Sequence, residues 1–204
     1  RAASTHDWMA IRTRKIDEEM LKSINQDGYQ QVCLIGAGLC TRAWRLRKTA
    51  EHPIAYFEVD FPEIFAWKLS VLSQAGAMSP FDYHNVVADL SLPDWGNTLI
   101  GAGFDPAKPT VWLLEGFIGY LKEEEANALF RVLTDTLSAP GSRVIATLGT
   151  NRQRSGNDLH CFFPPDPLAW LGTFGWAGHQ WEIHDLGQPY GTPLTEEWYN
   201  GYYF

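Results

Sequence analysis

Residues 31–46 read QVCLIGAGLCTRAWRL. A short apolar run, Val32–Ile35, stops at Gly36-Ala37-Gly38. An apolar run of this kind, bounded by glycine, predicts a strand buried on both faces. Thr41 to Lys48 predicts a helix after it. Strand, glycine-rich turn and helix make the opening unit of a nucleotide-binding α/β domain. The turn departs from the dinucleotide pattern, which wants a third glycine at the start of the helix. Here Leu39, Cys40, Thr41 and Arg42 follow instead.

The alternation continues outward from this stretch. Upstream, residues 7–26 have helical spacing, with Met9, Ile16, Met20 and Ile24 on one face and Gly28 as the stop. Downstream, Ile54–Val59, Tyr83–Ala88, Val111–Leu114 and Arg143–Leu148 predict strands, the second of these with the weaker pattern. Pro62 opens a helix that runs to about Gln74, with proline in a favourable early position. Leu92–Gly101 predicts a short helix. Lys122–Leu137 is amphipathic, with Ala126, Leu129, Phe130, Leu133 and Leu137 on one face; Ala139-Pro140-Gly141 ends it. Strands alternating with helices predict a parallel sheet covered on both faces. In such sheets the ligand lies beyond the carboxyl ends of the strands.

Beyond Thr150 the character changes. Residues 151–157 are polar, Pro164-Pro165 breaks the chain, Pro167–Phe174 reads as a helix and Gln180–His184 as a strand. The aromatic tail, Trp198, Tyr199, Tyr202, Tyr203 and Phe204, predicts a last strand. No repeat or linker divides the chain, so residues 1–204 are read as one domain. The sequence opens at Arg1 without an initiator Met, which reads as a processed chain or a fragment.

The 204 residues are 45% hydrophobic and 20% charged, the balance of a soluble globular protein. No apolar run approaches membrane-spanning length. A net charge of −8 argues against a nucleic-acid backbone as partner. Arg42, Arg45, Arg47 and Lys48 read as a solvated helix face. Cys33, Cys40 and Cys161 form no CxxC; they predict a reducing, cytoplasmic setting with neither disulfide nor metal site.

Four strand ends carry the chemistry. Gly36 and Gly38 let backbone approach a ligand closely. Glu58 and Asp60 close the second strand, and Asp60 stands at about the spacing at which an acid binds ribose hydroxyls. Asp89 and Leu90 follow the third strand, the acid placed to accept from an adenine amino group. Glu115 follows the fourth. A pyrophosphate site would offer donors and a helix N-terminus, not acids. An acidic site suits a ligand with no phosphate and a positive charge, and S-adenosyl-L-methionine has both properties.

On these residues the chain resembles the leucine carboxyl methyltransferase superfamily, including its bacterial polyketide-type O-methyltransferases. The matching blocks are RTRKID at 12–17, LIGAGLCTRAWRL at 34–46, FEVDFPEIFAWKLSVL at 57–72, VVADL at 86–90, GFDPAKPTVWLLEGFIGYL at 103–121 and APGSRV at 139–144. The resemblance implies a class I methyltransferase fold: a Rossmann-like, seven-stranded sheet, helices on both faces, last strand antiparallel. It implies that Arg12 pairs with the cofactor carboxylate, that Gly36, Ala37 and Gly38 line its methionine portion, and that Asp60 holds the ribose with Glu58 nearby. Asp89 and Leu90 would meet the adenine, and Glu115 the amino group. The helix over 7–27 would form part of a lid, shortened here because the family carries more chain before RTRKID. The family usually has Asp where this chain has Cys40.

Methyl transfer from a sulfonium is an in-line displacement that needs alignment and water exclusion more than acid–base help. The expected acceptor is a carboxylate or hydroxyl of a small molecule or peptide. Tyr120, His160, His179 and His184 are candidates for orientation, but none is assigned as a base. Phe162, Phe163, Trp170 and Trp176 would line an apolar acceptor pocket or pack the late core. The competing readings are an NAD-dependent oxidoreductase, disfavoured by the missing third glycine, and a protein that binds S-adenosyl-L-methionine without turnover.

Overall fold

The computed structural model describes residues 5–149, 161–192, 194 and 202–203. Its main sheet has strands β1 (Gln31–Ile35), β2 (Ala55–Asp60), β3 (Asp82–Val87), β4 (Thr110–Leu114) and β5 (Arg143–Ala146), all parallel, in the order β3-β2-β1-β4-β5. The helices between them are α1 (Thr5–Asn25), α2 (Arg42–Arg45), α3 (Pro62–Gln74), α4 (Trp95–Gly101) and α5 (Glu123–Arg131), the last continued by a π-helical turn over Val132–Thr136. The chain winds from β1 to β3 in one direction, then crosses to β4 on the other side of β1. The switch in strand order therefore falls between β1 and β4, where such sheets open a crevice.

Strand position explains the sequence patterns. β1 and β4 are central and buried at every residue, so they read as unbroken apolar runs. β3 is an edge strand with only Val86 fully buried, which is why its pattern is weak.

One face of the sheet presents Cys33, Ile35, Phe57, Val59, Val86, Trp112 and Leu114 to Trp95 and Leu99 of α4 and Ala126, Leu129 and Phe130 of α5. The other presents Val32, Leu34, Ile54, Tyr56, Val111, Leu113 and Ile145 to Ile16, Met20 and Ile24 of α1. Each large apolar side chain buried in this way contributes about 1.5–3 kcal/mol before conformational entropy is counted.

Among the described residues, the seven-stranded sheet with an antiparallel last strand is corrected to a main sheet of five parallel strands. β5 leaves the ladder at Thr147, whose N–H donates to the Leu114 carbonyl at 3.0 Å and whose hydroxyl accepts from Gly116 N–H at 2.7 Å. Leu148–Gly149 (β6) then pairs antiparallel with Tyr202–Tyr203 (β7) as a separate two-stranded ladder. The strand expected at Gln180–His184 is not formed as such; Ile183–Gly187 winds into a short helix. Ile183 and Leu186, three residues apart, are buried with Trp8 and Ile11 of α1. Met9 is 39% exposed, so the packed face of the first turns of α1 is Trp8 and Ile11. The helix expected over Thr41–Lys48 shrinks to Arg42–Arg45, ending in extended backbone at Leu46.

The late aromatics pack the core. Helix Pro167–Gly172 lies against α5, where the Trp170 indole N–H donates to Asn127 at 2.8 Å and the Trp176 indole to Thr134 at 2.8 Å. Phe162 is buried and meets Trp170 edge-on. No helix among the described residues is long and apolar enough to cross a membrane.

Candidate active site

The Gly36–Cys40 turn lies where β1 ends, beside the crevice. Gly36 and Gly38 have φ of 64° and 51°, a region that favours glycine. Gly36 and Ala37 donate their N–H groups to the Val59 carbonyl at 3.0 and 3.2 Å, which locks the turn to the end of β2. Asp60 grips it from the same strand. Its Oδ2 accepts from Gly38 N–H at 2.6 Å and its Oδ1 from Phe61 N–H at 2.7 Å. Each carboxylate oxygen has a second acceptor site, so Asp60 can still receive hydroxyl protons.

Side-chain alternation brings the acids together. Ile54, Tyr56, Glu58 and Asp60 share one side of β2, and Val111, Leu113 and Glu115 share the same side of the sheet. Glu115 stands at the end of β4, next to Gly116 with φ 61°. One of its oxygens lies 2.9 Å from Arg12 Nε, an ion pair across the crevice from α1. The other accepts from Arg42. Arg12 also stacks 4.8 Å over the Trp8 ring. Arg12 and Glu115, given opposite-charge roles by the family resemblance, are thus each other's partner. A small cavity lined by Gly36, Ala37, Cys40 and Glu115 opens beside them.

Arg42 departs most from expectation. Its helical spacing predicts a solvated face, yet it is 3% exposed. Its Nε donates to Asp17 at 2.7 Å, and its Nη1 reaches Glu115 and, at 3.4 Å, the Cys40 sulfur. Arg45 joins the same Asp17 carboxylate at 2.8 Å. Burial opposes the charge on Arg42, but Cys40, Glu115 and Asp17 outweigh it and hold its pKa above the ordinary value. The Cys40 thiol pKa is raised as well, by burial and against the pull of Arg42, so this is an un-ionised cysteine.

Glu58 lies deeper than the sequence reading placed it. It is wholly buried, two residues inside the strand from Asp60. Burial raises its pKa, against the pull of Lys68 and Tyr83. Lys68, 2% exposed, donates to one Glu58 oxygen, and Tyr83 donates to the same atom at 2.6 Å. At the third strand end Asp89 is half-buried; Ser91 donates its hydroxyl at 2.7 Å and its N–H at 2.9 Å to one oxygen, which lowers the Asp89 pKa. Leu90 is half-buried against the α4–α5 side.

The structure therefore gathers Arg12, Gly36, Ala37, Gly38, Asp60 and Glu115 at the crevice. It sets Asp89 and Leu90 at the next strand end and Glu58 beneath the floor. Sequence reasoning gave no role to Asp17, Arg42 and Lys68. Lys68 left a signal: it is three residues from buried Phe65 on α3, at the inward spacing. Asp17 and Arg42 left none, since their partnership crosses 25 positions.

Comparison with known proteins meets this geometry. The profile of the leucine carboxyl methyltransferase family matches residues 1–134. The chain belongs to that family. A Parafrankia sp. (strain EAN1pec) protein named "Putative S-adenosyl-L-methionine-dependent methyltransferase" is 38% identical over 211 residues, covering 93% of this chain and 64% of that relative. A Frankia alni protein of the same designation is 35% identical over 197 residues, covering 91% of this chain and 67% of its own. This member of the leucine carboxyl methyltransferase family thus spans about two thirds of the length of the curated relatives it matches. Among solved structures, a DUF574 family protein from Streptomyces avermitilis superposes with a TM-score of 0.68 at 15% identity, covering 96% of this chain and 81% of its own. The magnesium protoporphyrin IX methyltransferase of Synechocystis PCC 6803, solved with bound SAH, gives 0.62 at 13% identity, covering 97% and 84%. These likenesses show an α/β methyltransferase fold with a parallel sheet.

Proposed function

We infer that this chain binds S-adenosyl-L-methionine beyond the ends of β1–β4 and transfers its methyl group to a carboxylate oxygen of an organic acceptor. The observation that carries the cofactor is the Arg12–Glu115 pair facing the Gly36–Gly38 turn, with Asp60 at its rim. An amino-acid end bears an ammonium and a carboxylate, the two complements of that pair. Arg12 would take the carboxylate and Glu115 the ammonium. Asp60 retains acceptor capacity for a diol, and Asp89 has an oxygen turned from Ser91 for an exocyclic amine. An added Cβ at Gly38 would meet nothing within 4 Å, which leaves the turn open to a ligand. When bound, the sulfonium supplies an already activated methyl group.

The chain's own part is binding, alignment and exclusion of water. An ionised carboxylate needs no general base, and this suits a site without an identified one. Tyr120 is 51% exposed, His179 stands beside Trp181 and His184 beside Asp185; His160 lies outside the described residues. Trp170 and Trp176 are bonded into α5 and its π-helical turn, and Phe162, Phe163 and Trp170 also line a cavity with Pro164 and Pro165; the reading names the reacting group and not the body of the acceptor. The acceptor is a small molecule or peptide.

Calorimetry decides the cofactor: S-adenosyl-L-methionine binds and NAD does not. A methyl-release assay over candidate acids then decides turnover. With a carboxylate acceptor, kcat/KM is nearly flat above about pH 6, once the acid has ionised. A steep rise between about pH 7 and 9, lost on substituting Tyr120, His160 or His179, would assign a hydroxyl acceptor instead.

A further inference from the structure

We propose that Lys68 is the positioning residue of the glycine-rich turn, holding it from beneath as Asp60 holds it from the rim. Lys68 Nζ donates to the Cys40 carbonyl at 3.1 Å and also to Glu58. It sits between the rings of Phe65 and Trp44, 5.6 and 5.7 Å away. The ammonium has three donors and no acceptor. Its Glu58 partner is fixed in turn by the Tyr83 hydroxyl. This spans three elements: Tyr83 on β3 orients Glu58 on β2, Glu58 orients Lys68 on α3, and Lys68 pins the last residue of the turn.

Three facts argue that the pair serves the turn and not stability alone. A buried ion pair is weak support for stability, since desolvation offsets much of its attraction. The second Glu58 oxygen is buried without a hydrogen-bond partner, so the cluster is not optimised as a core. And Lys68 bonds the Cys40 backbone, not its side chain. The turn is thereby held whichever side chain stands at 40.

The binding arm of the test rests on the proposed S-adenosyl-L-methionine site; the exchange arm does not. The variant is E58Q/K68M, which removes both buried charges and leaves Tyr83 an acceptor. Amide exchange over residues 38–42 is followed by mass spectrometry, with α5 as internal reference, and cofactor affinity by calorimetry. Loss of one charge-assisted hydrogen bond predicts turn exchange and Kd each rising about tenfold or more, with α5 unchanged. K68R, which keeps the charge, should recover part of both. Turn exchange at the wild-type rate in folded E58Q/K68M overturns the proposal, as does unchanged Kd with a loosened turn. If the double variant does not fold, K68M decides: it removes the donor to the Cys40 carbonyl, and wild-type turn exchange together with wild-type Kd would overturn the proposal. Should the wild type not bind S-adenosyl-L-methionine, the functional reading fails and the exchange arm still judges Lys68.

Discussion

The two faces of the sheet solve different problems. Among the described residues, the face under α4 and α5 buries no acid or base; Trp95, Trp112, Phe57 and Phe130 fill it. The face under α1, α2 and α3 buries Glu58, Lys68 and Arg42 amid its aliphatic residues. Charge is costly to bury unless it is paired and hydrogen-bonded. It is concentrated on the side where the strand ends present Asp60 and Glu115, and where α1 brings Arg12 and Asp17. One face secures the fold and the other secures a geometry.

The sharpest way to break this contrast is Arg42→Met. It leaves Asp17 and Glu115 with one cation fewer and should cost about 3–5 kcal/mol in urea unfolding. A cost under about 1 kcal/mol would mean that the charged face does not depend on its pairs. On the apolar face, Leu129→Ala should cost about 2–5 kcal/mol of stability. Its cofactor affinity, measured on folded protein, should match the wild type; a parallel loss of affinity would show that the faces are not separable.

Asp60→Ala tests the rim. It removes the acceptor of Gly38 N–H and of the inferred diol, and should weaken S-adenosyl-L-methionine binding by about 1–3 kcal/mol in calorimetry. Unchanged affinity would remove Asp60 from the site. Cys40→Asp should keep the melting temperature and not lower affinity, because Arg42 lies 3.4 Å from the sulfur and can receive the new charge. The smallest effect is expected at Ser91→Ala. Asp89 titrates below its ordinary value in the folded chain, so its contribution to stability is present above the ordinary aspartate pKa and fades as pH falls through the folded one. Removing the Ser91 hydroxyl should move the Asp89 midpoint, followed by NMR, up toward the ordinary value.

The fold was legible where burial leaves a period in the sequence. β1 and β4 show as apolar runs because they are central, and the spacing of Ala126, Leu129, Phe130, Leu133 and Leu137 traces a helix into its π-helical turn. Legibility failed where five-residue windows had to separate a strand from a helix, as at Gln180–His184. It also failed where the sheet's extent depended on residues after Thr150; of the aromatic tail only Tyr202 and Tyr203 lie among the described residues, and the polar stretch 151–157 lies outside them. In the site, acids at strand ends were readable from spacing. Their partners were not, because an ion pair such as Arg42 with Glu115 joins positions 73 apart and leaves no local pattern.

The first turn carries one more consequence. A Cβ built at Gly36 would meet the Phe117 ring at 2.4 Å, and φ is 64° there. The turn after β1 and the turn after β4 are therefore in mechanical register across the switch point. In evolutionary terms this is a constraint on position 36. A side chain at 36 is inaccessible while the ring stands at 117, and shrinking the ring first would open a void under the turn. Even a smaller side chain at 117 would leave position 36 to glycine, because the left-handed backbone strains any other residue there.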